Sequence, residues 1–180
     1  MIFHKTNFEG LYAIVLKPHK DERGYLTRTF CQNEFVSAGI EFSIVQSSQS
    51  FTEQKGTLRG LHIQSKPKEE KKIIMCVKGA VYDVALDLRK ESATYGKWFS
   101  QELNEKNNTM VFIPEGFAHG FQTLTAHCIV QYMMSEFYTP ELTGGVRYDD
   151  PILQIPWPIH HPLLSQKDNA LPLMKNYHAT

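Results

Sequence analysis

The chain is short of cysteine, has no surplus charge of either sign and contains no long apolar run. Its three cysteines, Cys31, Cys76 and Cys128, are odd in number, far apart and never in a Cys-x-x-Cys pair. Neither a disulfide framework nor a thiolate zinc site is expected from them; they read as small core or strand residues. Lys and Arg number 19, and so do Asp and Glu. That balance argues against nucleic acid and anionic membrane as partners, because both need an excess of cations to displace counterions or reach lipid headgroups. No stretch approaches the roughly 18 continuous apolar residues of a membrane span, and residues 1–10 lack the apolar centre of a secretory leader. A cytoplasmic location is expected. Internal repeats, low-complexity tracts and long linkers are also missing, so residues 1–180 read as one domain. A chain of this length can hide about 70% of the surface its unfolded form exposes.

What is present is a succession of short stretches rich in β-branched and aromatic residues. They cover residues 11–16, 25–30, 42–46, 72–77, 81–88, 98–103, 109–113 and 127–134. Turn-forming residues separate them, at 21–24, 78–79, 104–108 and 143–145. Only residues 32–38, closed by Gly39, and a short stretch from Ser165 have helical character. Many strands with so little helix predict an all-β sandwich or barrel, of which the jelly roll is one solution. In 81–88, Asp83 and Asp87 share a pleat parity with Val81 and Ala85, while Tyr82, Val84, Leu86 and Leu88 share the other. One face of that strand is expected to be core and the other to hold carboxylates.

Several constellations can carry chemistry. In Arg59-Gly60-Leu61-His62-Ile63-Gln64, strand alternation sets Gly60, His62 and Gln64 on one face, leaving room for a flat ligand beside an imidazole, with Arg59 on the other. A histidine titrates near neutrality and suits proton transfer, although an isolated one is also a common hydrogen-bonded core residue. The charged run 66–72 reads as a solvated loop, but Lys72 opens an apolar strand and, turned inward, would offer positive charge to a developing enolate. Tyr132 lies in a strand and Tyr138 just beyond it; a phenol can act as a general acid, and a second aromatic can stack on a base. Ser165-Gln166-Lys167-Asp168 reads as a helix cap, yet its carboxylate could equally orient an imidazole.

Pro114-Glu115-Gly116-Phe117-Ala118-His119-Gly120-Phe121 is similar to the second motif of cupins, small jelly-roll barrels whose histidine at that place points inward. Metal-binding cupins usually pair it with a His-x-His. Here the earlier motif is His62-Ile63-Gln64, a poor ligand set, and a metal-free barrel is expected.

Taken in order along the chain, these motifs resemble those of the dTDP-4-dehydrorhamnose 3,5-epimerases. They are joined by Asp21-Glu22-Arg23-Gly24, Tyr95-Gly96-Lys97-Trp98 and Tyr148-Asp149-Asp150-Pro151. The resemblance implies a cupin-type jelly roll (a double-stranded β-helix) with a few short helices. It implies a homodimer that needs no cofactor and no metal and acts on a nucleotide-linked 4-keto-6-deoxy sugar, for rhamnose and polysaccharide synthesis. It makes His62 the base, with Asp168 behind it, Lys72 the stabiliser of the enolate oxygen, and Tyr132 the acid on the opposite face. Substrate contacts fall to Arg23 and Arg59 at the diphosphate or nucleotide, His119 at the sugar and Tyr138 near the base, with Gln46, Asp83 and Lys167 in the same substrate-binding set.

This chain departs from the family pattern at Ser47-Ser48-Gln49, where an acidic residue and an amide are usual, and at Arg28, where a carboxylate is usual. Ile63 replaces a customary aromatic. These departures point to an altered nucleotide or sugar, guanosine- or cytidine-linked. Inversion of C3 or C5 alone, a ketoisomerase, and a sugar-nucleotide binding module without catalysis are the other readings.

Overall fold

Strand-forming residues alternate with turns along most of the chain, and the computed structural model, which describes residues 1–177, turns that pattern into two facing sheets. In chain order the strands are β1 (Ile2–Lys5), β2 (Tyr12–Val15), β3 (His19–Asp21), β4 (Gly24–Leu26), β5 (Gln46–Thr52), β6 (Leu58–Gln64) and β7 (Lys72–Lys78). They continue as β8 (Ala80–Asp87), β9 (Trp98–Asn104), β10 (Thr109–Ile113), β11 (Phe117–Thr123), β12 (Cys128–Met134) and β13 (Thr143–Gly145). Two short helices, α1 (Gln32–Ser37) and α2 (Gln166–Asn169), accompany them.

One sheet runs β1-β2-β10-β7-β12-β5 and the other β13-β6-β11-β8-β9, with β3 and β4 forming a separate hairpin. Every strand pairing is antiparallel. Sheets that face each other across a shared core, with short strands connected between them, are the expected all-β jelly roll.

Alternation decides what each sheet shows its partner. Ile74 and Cys76 of β7, Val111 and Ile113 of β10 and Val130 of β12 meet Val81 and Ala85 of β8, Leu103 of β9 and Phe121 of β11 in the space between the sheets. The outer faces are also covered. Ile14, Ile73, Met110 and Phe112 pack under Phe35 of α1 with Ile40 and Phe42. On the other sheet, Leu61, Ile63, Val84 and Leu86 lie under the C-terminal segment, including Leu153 and Trp157.

This corrects the reading of β8. Its Asp83 and Asp87 do share a face with Val81 and Ala85, but that face is the interior, and both carboxylates are buried. They are tolerated there because each has partners: Asp83 meets His119, and Asp87 accepts from Arg89, Ser92 and Thr94. The stretch 42–46 also differs. It is irregular, and the strand β5 starts where that stretch ends. Of the cysteines, Cys76 and Cys128 are buried, while Cys31 is half-buried.

Candidate active site

Inward-facing polar side chains of β5, β6, β7, β11 and β12 gather around one cavity of about 440 Å³ between the sheets, a size suited to a small organic ligand. Lys72 belongs to it because it shares the pleat parity of Ile74 and Cys76, which face the core. Tyr132 belongs to it because it shares the parity of Cys128 and Val130, which face the core. His119 reaches it from β11, whose preceding turn holds Gly116 at φ +80, a conformation that an L side chain resists.

On β6 simple alternation fails, and the reason is local. His62 pairs with His119 whereas Arg59 pairs with Phe121, so three steps on β6 oppose two on β11. This irregularity brings Arg59 and His62 to the same cavity instead of opposite faces. Gly60 does not make room for a ligand, as the sequence suggested. It lies against β11, where a Cβ would sit 2.6 Å from Gly120 Cα and φ is +116.

His62 Nε2 lies 2.5 Å from Asp168 Oδ1, and Asp168 is buried. Both sequence readings of residues 165–168 hold together: Ser165 Oγ caps α2 by accepting from the Asp168 amide at 3.0 Å, and that cap aims the carboxylate at the imidazole. Burial pushes the Asp168 carboxyl up. Its bond to His62, the imidazole's charge, the Ser165 hydroxyl and the Gly60 amide outweigh this and hold it below the ordinary range. The carboxylate therefore stays ionised, fixes the ring and leaves Nδ1 free of that bond.

Across the cavity, burial pushes the Tyr132 phenol up to about 12, against a smaller opposing pull from the Ser50 hydroxyl. A phenol so placed keeps its proton at neutral pH. The ring of His119 stands edge-on to that of Tyr132 with centroids 6.3 Å apart. His119 Nε2 is 2.7 Å from Asp83 Oδ2, so Asp83 supports the histidine from behind and does not itself line the cavity.

At the mouth, Arg59 is braced by donating from Nε to Thr52 Oγ1 at 3.1 Å and from Nη2 to the Phe51 carbonyl at 3.3 Å. Lys167 and Tyr138 line the same opening and are exposed. Gln46 stands off the cavity and accepts from the Tyr138 amide at 3.0 Å, holding that residue's backbone.

Unlike Gln46 and Asp83, which touch lining residues from outside the cavity, Arg23 makes no such contact. It sits on the β3–β4 turn, paired with Asp21 and 84% exposed. Arg28 is not at the cavity either; it pairs at 2.9 Å with Glu34, which also takes the N-terminal ammonium.

The sequence missed Glu70, which lines the cavity although it lies in a run of surface-like charge, and Ser50, which lines the same cavity as Tyr132. Inward parity on β5 was the available signal for Ser50, but serine and glutamine hid the strand. Gln64, standing where a metal-binding cupin has its second histidine, is committed to holding a loop. Its amide donates to the Lys68 and Phe137 carbonyls and accepts from Thr139. Among the described residues no group of three or more His, Cys, Asp or Glu is assembled as a metal would require.

Comparison with known proteins places the chain among relatives named as epimerases. The family model for dTDP-4-dehydrorhamnose 3,5-epimerase matches residues 5–176. A protein of that name from Methanothermobacter thermautotrophicus is 43% identical, over 97% of this chain and 95% of its own. The crystal structure of the Bacillus anthracis dTDP-4-dehydrorhamnose 3,5-epimerase with TDP and PPi bound superposes with a TM-score of 0.94 at 39% identity, covering 96% of this chain and 99% of that one. A Legionella pneumophila dTDP-6-deoxy-D-glucose-3,5-epimerase in complex with dTDP-4-keto-L-rhamnose gives 0.94 at 37% identity, covering 99% and 95%.

Proposed function

This chain belongs to the dTDP-4-dehydrorhamnose 3,5-epimerase family, and from that premise we infer that it is an isomerase inverting C3 and C5 of a dTDP-linked 4-keto-6-deoxy hexose. The hydrogens at those carbons are acidic because the C4 ketone between them delocalises the carbanion. The chemistry then needs a base, a cation at the ketone oxygen and an acid across the ring plane.

His62 takes the proton from carbon, and the ionised Asp168 stabilises the imidazolium that results. The electron pair moves onto the C4 oxygen, where Lys72 meets the enolate. Tyr132 returns a proton to the same carbon from the opposite face and regains its own from solvent, His62 gives its proton up to solvent, and the cycle repeats at the second carbon. Arg59 and Lys167 hold the diphosphate, Tyr138 stacks near the base, and His119, supported by Asp83, touches the sugar. Gln46 serves substrate through Tyr138. The observation that carries these roles is that the His62–Asp168 pair, Lys72 and Tyr132 line one cavity. The dTDP-linked reading is favoured over the guanosine- or cytidine-linked one because a relative named dTDP-4-dehydrorhamnose 3,5-epimerase is 43% identical over 97% of this chain.

The active form we propose is a homodimer built from residues 1–180 as one unit. The β3–β4 hairpin exposes Tyr25 and Leu26 at 62% and 76% and carries Arg23 away from its own cavity. An arginine serving the diphosphate from that place serves the other protomer. Among the described residues no helix is long and apolar enough to cross a membrane; handling of a nucleotide-activated sugar favours the cytoplasm as the working compartment.

Proton NMR in heavy water, with dTDP-4-keto-6-deoxyglucose as substrate, tests the function. Deuterium entering at both C3 and C5 is the expected result. Label at one carbon makes the protein a monoepimerase, and no label in a folded sample removes the catalytic reading.

A further inference from the structure

Glu70 lies two residues before Lys72 in the approach to β7, and in the Lys66–Lys72 run its neighbours are mostly solvated. Its own side chain is not. It lines the cavity at 17% exposure, and its Oε1 is 2.6 Å from Lys72 Nζ, whose side chain is 9% exposed. The strand start that carries both is pinned to the end of β12, since the Lys71 amide donates to Ser135 Oγ at 2.8 Å and the Ser135 amide donates to the Lys71 carbonyl at 3.0 Å.

An ammonium on a four-carbon stem has many conformers, and one withdrawn from water needs a partner. A carboxylate at 2.6 Å supplies both the counter-charge and a fixed direction. We propose that Glu70 is a positioning residue for the epimerisation: it holds the Lys72 ammonium where the enolate oxygen forms and acts on the reaction only through that lysine. This rests on the assignment of Lys72 to the enolate. Aim matters here because an electrostatic stabiliser works through preorganisation, and a misplaced cation must be reorganised at the moment of reaction.

The test is a double-mutant cycle with dTDP-4-keto-6-deoxyglucose, each variant first shown to be folded by thermal melting. Glu70→Ala is expected to lower kcat about 10- to 100-fold with KM within about twofold, because the lost interaction belongs to the transition state. Glu70→Gln, whose amide oxygen still accepts from the ammonium, recovers most of that loss and keeps the test open should the alanine variant fail to fold. The Glu70→Ala/Lys72→Ala pair matches Lys72→Ala alone within about twofold, the non-additivity of groups acting as one unit.

Equal losses from Glu70→Ala with and without Lys72 overturn the positioning role, as does an effect confined to KM or a Glu70→Gln variant no better than the alanine. If Lys72→Ala itself turns over like the wild type, the enolate assignment has failed and the role of Glu70 falls with it. That outcome is distinct from an impaired Lys72→Ala with additive losses, which removes Glu70 alone.

Discussion

Tyr132 keeps its proton because burial leaves little water for a phenolate; its phenol is pushed up to about 12. The sign of the linked stability effect follows. An unfolded chain ionises this tyrosine near its ordinary value of 10.0, and the folded one does not, so its contribution to stability is complete below pH 10 and is eroded between pH 10 and about 12. In an absorbance titration of phenolate, the Tyr132→Phe variant should lack a late step near pH 12 that the wild type shows. Identical titration curves in that range would show that Tyr132 is not the buried acid.

At this same scale the sequence was informative where chemistry depends on residue type and weak where it depends on surroundings. His62, Asp168 and His119 were recognisable from their motifs, and Lys72 from its place at the head of an apolar strand. Glu70 was hidden because a carboxylate among lysines looks solvated until the approach to β7 turns it toward Lys72.

Among the elements, α1 illustrates how little of a short helix's stability is its own. It has one buried residue, Phe35, and no side-chain cap at its N-terminus. A helix this short is marginal alone and is held by packing. Phe35 is fully buried, with Phe3, Phe30, Phe42 and Phe112 rings within 6.1 Å of its own. Phe35→Ala should therefore cost about 3–5 kcal/mol in denaturant unfolding while leaving kcat near wild type at temperatures where the protein stays folded, because it lies outside the sheet that faces the cavity. A loss below about 1 kcal/mol would show that α1 does not hold that face of the sheet.

The strand-forming stretches placed β10 at the residues where it occurs and β7, β8, β9 and β12 within a residue or so, since turn residues at 78–79 and 104–108 bound most of them. The pattern failed at β5, where Ser47, Ser48, Gln49 and Ser50 have weak strand preference and are held by pairing with β12. It failed again at β6, where an irregularity that no pattern announces turns Arg59 into the cavity.

For the whole molecule, the two-sheet architecture was legible because strands outnumber helices so heavily, and the covered outer faces were not, since they depend on where α1 and the C-terminal segment fold back. The exposed β3–β4 hairpin belongs to this scale as well. Light scattering should give twice the mass of one chain, and Arg23→Ala should raise KM while leaving the dimer intact. A monomer with full activity would contradict both the dimer and the assignment of Arg23 to the other protomer's cavity.

The central claim is that His62 and Tyr132 work on one sugar ring from opposite faces. It is tested most directly by following deuterium uptake and product formation together, in heavy water, for His62→Ala and Tyr132→Phe. The account predicts that His62→Ala loses both by about 10²- to 10⁴-fold, whereas Tyr132→Phe still exchanges deuterium into the substrate but forms little inverted product. Exchange at the wild-type rate in His62→Ala, or full inversion in Tyr132→Phe, would contradict it.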